Sequence, residues 1–351
     1  MSRKKICLAS DNWTPTHPLV IQAILEANEG YAPSYGSDAW TEKATALIQE
    51  AFGAKCKVFI VPTGTGSNVF GLGLACRRHE SIVCTDIAHI QYQESGAAEA
   101  LIGCKLVTVS HHEGKLTPHA VRKRLATERA FGKHSTSPKV LSITQSTEIG
   151  TVYQLEELAA IAQLCKEENL LLHIDGSRLY NAAVSLNASF HEMVKAAKPD
   201  LVSLGGTKNG LMGAESLLIF NPLLQEGSDH LQKQMLQLLS KMRYASCQYI
   251  PLFTNHLWRD LAHHANKKAR EIASILKAFP DLSLSYPVET NQIFFSAPAS
   301  WIPMIQEEIF CHLWNQEKRE IRFITSWNTT ENDVREVQSI FEKISIRISK
   351  V

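Results

Sequence analysis

Leu170-Leu171-Leu172-His173-Ile174-Asp175-Gly176-Ser177-Arg178 decides the fold: a short, almost wholly apolar run ends on a carboxylate and a guanidinium. A run of that length with no polar face reads as a strand buried on both sides, as in a parallel sheet covered by helices. Runs of the same kind recur at Val58 to Val61, Ile82 to Cys84, Lys105 to Val109, Val140 to Ile143, Leu201 to Leu204 and Ser216 to Phe220. Helical patterns such as Leu155 to Glu168 separate them. This βα alternation predicts an α/β protein built on a mostly parallel, seven-stranded sheet with helices on both faces.

On either side of this core the pattern changes. After Pro222 it predicts long helices over Leu231 to Arg243 and His256 to Ala278, then a smaller α+β stretch with strands near Gln292 to Phe295 and Arg322 to Thr325. Before it, helices near Pro18 to Asn28 and Thr41 to Phe52 flank a turn-rich segment, Tyr31 to Ser37. The expected division is a helical N-terminal arm or lid over 1–55 packing with the large domain, a large α/β domain over 56–258 and a small C-terminal α+β domain over 259–351.

Charge narrows the partners. The 351 residues carry 36 basic and 35 acidic side chains, net +1, well mixed, so no uniform field recruits nucleic acid or an anionic membrane. No apolar run is long enough to span a bilayer, and the basic start, Met1 to Lys5, leads into too short an apolar stretch for an export signal. The eight cysteines are scattered without a C-x-x-C pair, which predicts reduced, mostly buried thiols, no disulfide framework and no metal site. These features point to a cytoplasmic protein acting on a small molecule.

In an open parallel sheet, ligands gather beyond the carboxyl ends of the strands. Thr63-Gly64-Thr65-Gly66-Ser67-Asn68 follows the first strand and opens a helix predicted over Val69 to Cys76; its glycines and hydroxyls suit an anion cradle, or merely a turn with Ser67 or Thr65 as N-cap. It fits neither the Walker nor the G-x-G-x-x-G spacing. Asp86-Ile87-Ala88-His89 follows the second strand and precedes a helix carrying Glu94 and Gly96; the imidazole suits stacking on an aromatic cofactor or proton transfer, although most of the 14 histidines must be incidental. A buried Asp175 needs a cation, which a protonated pyridine nitrogen, a structural pair with Arg178 or a helix cap could answer. Lys208, amid Gly205, Gly206 and Gly210, has room beside it for a planar ring, and a desolvated lysine is the usual amine for a Schiff base; a lone lysine is more often a surface group. The order of cradle, strand-end Asp and glycine-flanked Lys says more than any one of them.

Taken together, Pro62 to Thr65, Ala88-His89-Ile90 with Glu94 to Ala97, His173 to Arg178 and Gly205 to Gly210 resemble the pyridoxal-phosphate (PLP) dependent low-specificity L-threonine aldolases. Leu8 to Asn12, Tyr35 to Thr41, Ser240 to Arg243 and Ile321 to Trp327 extend the resemblance nearly end to end. It implies fold type I and a homo-oligomer, dimer or tetramer, with active sites at the subunit interface. Lys208 would be the Schiff-base lysine, Asp175 would pair with the pyridine nitrogen and His89 would stack on the ring. Gly64 and Thr65 would hold the phosphate with Arg243 of a neighbouring subunit. Ser10, Arg178 and Arg322 would gather the substrate carboxylate, Arg178 lying by the cofactor too, and Tyr35 would sit nearby. The implied reaction is retro-aldol cleavage of L-threonine, L-allo-threonine and related β-hydroxy-α-amino acids to glycine and an aldehyde. The alternatives are β-elimination or transamination on the same fold, or a non-catalytic PLP-fold protein. One departure stands out: where some of these aldolases read Asn-Thr-His after the fourth strand, this chain reads Thr144-Gln145-Ser146-Thr147-Glu148, which removes a second histidine and leaves the acid-base group open.

Overall fold

A computed structural model describes residues 5–348. Seven strands form the large sheet: β1 (Lys57–Val61), β2 (Glu80–Thr85), β3 (Lys105–Val109), β4 (Ser137–Thr144), β5 (Leu171–Gly176), β6 (Leu201–Leu204) and β7 (Glu215–Ile219). Their order across the sheet is β1-β7-β6-β5-β4-β2-β3. The β2–β3, β2–β4, β4–β5 and β5–β6 pairs are parallel, and β7 runs against both β1 and β6. Six strands therefore end at one edge, and β7 begins there with Glu215. That edge is where the sequence placed its chemistry.

Strand alternation loads both faces, as strands with side chains of period two require. Ile60, Val83, Ile143 and Ile174 enter a core shared with the helices Ala39–Phe52, Leu155–Glu168 and Leu179–Leu186, whereas Phe59, Val61, Ile82 and Cys84 face the helix Gly64–Ala75. Ile60 is 2% exposed, and cutting such a side chain back to alanine costs about 2–5 kcal/mol. Six cysteines (Cys56, Cys76, Cys84, Cys104, Cys165 and Cys247) are buried, and all eight are free thiols.

Three helix boundaries differ from the sequence reading. The helix after β1 starts at Gly64, not Val69. Glycine is a poor helix former, but here it permits close packing: a Cβ on Gly71 would lie 2.7 Å from Leu217 Cδ1, so bare backbone lets the helix settle on the sheet. The helix expected over Leu231 to Arg243 is not continuous. Ser228–Gln234 stops where Leu236 turns left-handed (φ 60°), and helical turns resume at Arg243–Ser246. The helix expected to carry Glu94 and Gly96 is two pieces, His89–Tyr92 and Ala97–Ile102, parted by positive φ at Ser95 and Gly96.

A second, antiparallel sheet is built from β8 (Ser283–Leu284), β9 (Gln292–Ser296), β10 (His312–Asn315) and β11 (Glu320–Ile324) in the order β10-β11-β9-β8. Its core joins Ile293, Phe295 and Phe323 to Phe341 and Ile344 of the helix Glu331–Ile348. The helix Leu257–Lys277 serves both units: Trp258, Leu261 and Ala262 lie in the large core, Ala269 to Leu276 in the small one. The N-terminal segment is likewise shared. Ala44, Ile48 and Phe52 pack on the large sheet, while Ile6 and Leu8 sit in the small core and Ile6–Cys7 pairs with Ile309–Phe310.

Candidate active site

The β5 strand end is the hub. Asp175 is 2% exposed, too dry for an unsupported carboxylate. Its Oδ1 accepts from the Ser177 backbone N–H at 3.0 Å and hydroxyl at 2.7 Å, and its Oδ2 from Asn68 Nδ2 at 2.9 Å. Burial opposes ionisation, but the nearby His89, these hydrogen bonds and the Lys208 charge outweigh it and hold the carboxyl below its usual range. Asp175 is thus an ionised acid awaiting a cation.

Asn68 has a second task. The same Nδ2 donates to Glu94 Oε1 at 2.9 Å, and that oxygen also meets His89 Nδ1 at 2.7 Å. Glu94 is buried, so one amide locks the acid that orients His89 to the acid at the sheet end. A carboxylate on Nδ1 fixes the tautomer and orientation of an imidazole. The E-x-G-A stretch signalled Glu94 in the sequence; Asn68 lay unremarked at the end of the Thr63 to Asn68 stretch.

Lys208 lies in the short turn Thr207–Asn209 after β6, partly buried. Among the described residues none accepts a hydrogen bond from its amine. Burial and the Arg178 cation push its pKa below the ordinary lysine range, against Asp11, Asp175 and Glu215. A lysine with fewer protons is the better nucleophile. Glu215, at the start of β7, accepts from the backbone N–H groups of Gly206 (2.8 Å) and Thr207 (3.3 Å) and so fixes the turn that carries the lysine. The flanking glycines serve backbone packing rather than open space. A Cβ on Gly205 would collide with the Ser177 carbonyl, one on Gly206 with the Ala214 carbonyl, and one on Gly210 would come within 3.2 Å of Leu261.

The guanidinium of Arg178 answers Asp11, not Asp175. Its Nε and one Nη reach the two Asp11 oxygens at 2.7 and 2.8 Å, with the side chains only 13% and 1% exposed. Asn291 Nδ2 donates to the same acid at 3.0 Å. Two residues away, the Ala9 carbonyl accepts from Arg322 Nη2 at 3.3 Å, and the Arg322 Nε is buried without a partner. Burial and Arg178 lower the Arg322 pKa to about 10, against the pull of Asp11. Residues 9–11 therefore draw both arginines to one strap, with Ser10 between them; its hydroxyl caps the next turn by accepting from the Asn12 N–H at 3.1 Å. Asp11 was not foreseen: its partner lies 167 positions away and no local pattern marks it.

At the helix Gly64–Ala75, Thr63 Oγ1 caps the Gly66 N–H at 3.0 Å. The amides of Gly64 and Thr65, in the first turn, have no partner within the helix. A Cβ on Gly64 would meet nothing within 4 Å, so open space faces that end, while Gln237 presses against Gly66. An anion fits this pole. Tyr35 and Arg243 make other contacts. Tyr35 is half exposed under the Lys233 ammonium (4.6 Å), its N–H bonds the Ser240 carbonyl at 3.0 Å, and Arg243 donates to the Gly30 carbonyl at 3.0 Å. Among the described residues, neither hydrogen-bonds to a residue of the Lys208 cluster.

Glu148, which the sequence marked only as a departure, closes the far side. Its Oε1 accepts from the His89 N–H at 3.0 Å and from Thr144 Oγ1 at 2.6 Å, and its Oε2 is buried without a partner. Burial raises its pKa to about 7 despite those bonds, with Asp175 pushing the same way.

An amine kept short of protons, an ionised acid at the adjacent strand end, an oriented imidazole and an anion pole at one sheet edge define a PLP-type site. The chain belongs to the beta-eliminating lyase family, which matches residues 8–299, and that family is PLP-dependent. Within it, the chain is 37% identical over 330 residues to the low specificity L-threonine aldolase of Pseudomonas aeruginosa, covering 94% of this chain and 95% of that one. It is 26% identical over 305 residues to the Saccharomyces cerevisiae low specificity L-threonine aldolase, covering 84% and 74%. The solved Leishmania major threonine aldolase superposes with a TM-score of 0.90 at 29% identity, over 98% of this chain and 99% of that chain.

The residues present fit the cofactor. The Lys208 amine with its lowered pKa, the ionised Asp175 and the open N-terminal helix pole match the aldehyde, pyridine nitrogen and phosphate of PLP in kind.

Proposed function

We infer that the protein is a PLP-dependent lyase cleaving L-threonine, L-allo-threonine and related β-hydroxy-α-amino acids to glycine and an aldehyde. The observation that carries this is the convergence of the Lys208 amine, which donates to none of the described residues, and the buried Asp175 with two arginines held on residues 9–11. A site that only bound cofactor would have no use for that carboxylate grip.

When bound, PLP supplies an electron sink for the pair left on Cα as Cα–Cβ breaks. The chain supplies the rest. Asp175 holds a positive pyridine nitrogen, and Asn68 and Glu94 hold His89 against the ring. Gly64 and Thr65 receive the phosphate. Arg178, with Nε and one Nη spent on Asp11, offers its remaining Nη to the substrate carboxylate beside Arg322 and Ser10. Fixing the carboxylate fixes the rotation about N–Cα, which selects the bond that breaks.

Tyr35 and Arg243 complete the site of a neighbouring copy in a homo-oligomer; that neither hydrogen-bonds to its own Lys208 cluster among the described residues supports that reading. The described residues contain no helix long and apolar enough to cross a membrane. With eight free thiols, this suits a cytoplasmic enzyme. The proposed division has the large α/β unit carrying the cofactor and the small unit bringing Arg322, with the segment 1–55 as an arm.

Product analysis tests the reading. Incubation with L-threonine or L-allo-threonine gives glycine plus acetaldehyde, and Lys208→Ala abolishes it. A keto acid in place of glycine would instead identify transamination or elimination.

A further inference from the structure

A pocket of about 300 Å³ opens beside His89, lined by Asp86, Ile87, Tyr92, Gln93, Glu148 and Trp314, with Asn315 at its rim. One wall is the turn that carries His89. Trp314 and Asn315 come from β10, and the Arg322 guanidinium sits 4.5 Å from the Trp314 ring centroid. Glu148 also lines it, one oxygen anchored to the His89 N–H and Thr144, the other buried and without a partner among the described residues. A buried carboxyl oxygen without a donor costs stability unless a ligand completes it.

We propose that this pocket receives the substituent on the substrate's β-carbon, and that Glu148 is the base that takes the β-hydroxyl proton. The inference rests on the aldolase reading and deepens it. Arg322 lies over Trp314 and the His89 N–H bonds Glu148, both lining residues, so a substrate gripped by Arg322 at its carboxylate and lying under His89 has this pocket within reach of its side chain. In the aldolase reading His89 lies against the ring with its Nδ1 held by Glu94, whereas Glu148 lines the pocket itself and has an oxygen without a donor. With burial holding its carboxyl near pH 7, Glu148 exchanges protons at the working pH of a cell, the property wanted of a general base.

The step balances. Glu148 as carboxylate takes the hydroxyl proton; the O–H pair becomes the second C–O bond of the aldehyde, and the Cα–Cβ pair stays on Cα. Cα then takes a proton from the protonated Lys208 amine; once the aldehyde leaves, Glu148 gives up its proton and Lys208 regains one by way of water. Threonine thereby becomes glycine plus acetaldehyde with no other reactant. The charged and titrating groups around Glu148 are His89 and Asp86 from the β2 end, Asp175 from β5, Cys84 and Tyr153 beneath it, and Arg322 across the pocket.

Glu148→Gln keeps the shape and the acceptor for His89 but cannot take a proton. In the holoenzyme, kcat for threonine cleavage should fall about 10²-fold or more, the pH limb near 7 should vanish, and Glu148→Asp should restore part of the rate. Hydrogen–deuterium exchange at the α-carbon of glycine, which needs no β-hydroxyl, should stay within about twofold of wild type. Independently of turnover, infrared difference spectra should show a carboxyl band titrating near neutral pH in the wild type and missing in Glu148→Gln. An unchanged cleavage rate and pH profile in Glu148→Gln would overturn the proposal, as would equal loss of cleavage and glycine exchange, which marks a structural role. Wild-type protein that exchanges glycine but cleaves no β-hydroxy amino acid would sink the aldolase reading itself.

Discussion

Replacing Asp11 by asparagine tests the strap that organises the substrate end. The substitution keeps the size and one oxygen for Asn291 but removes the charge that meets Arg178 at 2.7 and 2.8 Å. Were the pair exposed, the loss would be about 0–1 kcal/mol. With 1% and 13% exposure it is desolvated, and charge centres about 4 Å apart at an effective permittivity of about 20 attract by roughly 4 kcal/mol. Removing one partner of a buried pair costs about 3–5 kcal/mol, because the other charge is left uncompensated. Here three cationic groups, Arg178, Arg322 and Lys208, lose their shared counter-charge. The neutral amide keeps part of the hydrogen bonding, so a net loss of about 2–4 kcal/mol is expected. Urea unfolding measures it as a lower midpoint at an unchanged slope. Because a substrate carboxylate brings negative charge to the same arginines, saturating glycine should raise the midpoint of Asp11→Asn more than that of the wild type. Equal midpoints for the two proteins, or no extra gain from glycine, would refute the assignment of a dry, shared ion cluster.

The glycines give a paired test. Gly205→Ala should destabilise by about 1–3 kcal/mol or more, since its Cβ meets backbone of Ser177 that cannot swing away, whereas Gly64→Ala, with open space before it, should leave stability within about 0.5 kcal/mol yet weaken binding of PLP; calorimetry and cofactor titration separate the two. Acid should act through Asp11 and Asp175, whose folded pKa values lie below the ordinary 3.8. Depressed carboxyl groups stabilise the fold above their unfolded value and lose that contribution as pH falls through the folded one, so the urea midpoint should drop below about pH 3.8, less steeply in Asp11→Asn. Glu148 works in the opposite sense. Its pKa is raised from 4.5 to about 7, so between those values the native state holds the extra proton and stability declines as pH rises, a slope that Glu148→Gln should remove.

Much of this was legible in the chain. Leu170 to Arg178 announced a buried strand with a charged end, and the structure gives β5 with Asp175 as its hub. Lys105–Val109, Leu201–Leu204 and the helix Leu155–Glu168 fall where the apolar pattern put them, because burial on both faces or on one stripe leaves a period in the sequence. What stayed hidden depends on partners far along the chain. Asp11 looks like any polar turn residue until Arg178 and Asn291 fold onto it. The glycines around Lys208 suggested space for a ring, but carbonyls of neighbouring strand ends fill it. The helix over Leu231 to Arg243 failed because a left-handed Leu236 and backbone bonds such as Gln237 N–H to the Gln232 carbonyl (3.0 Å) compete with helical periodicity.

The central claim is that Lys208 binds the cofactor covalently. Borohydride treatment of the yellow protein, followed by peptide mass analysis, should place a single pyridoxyl adduct on the peptide containing Lys208 and should find none in Lys208→Ala. An adduct on any other lysine, or wild-type protein that takes up PLP without becoming modified at position 208, would contradict the account.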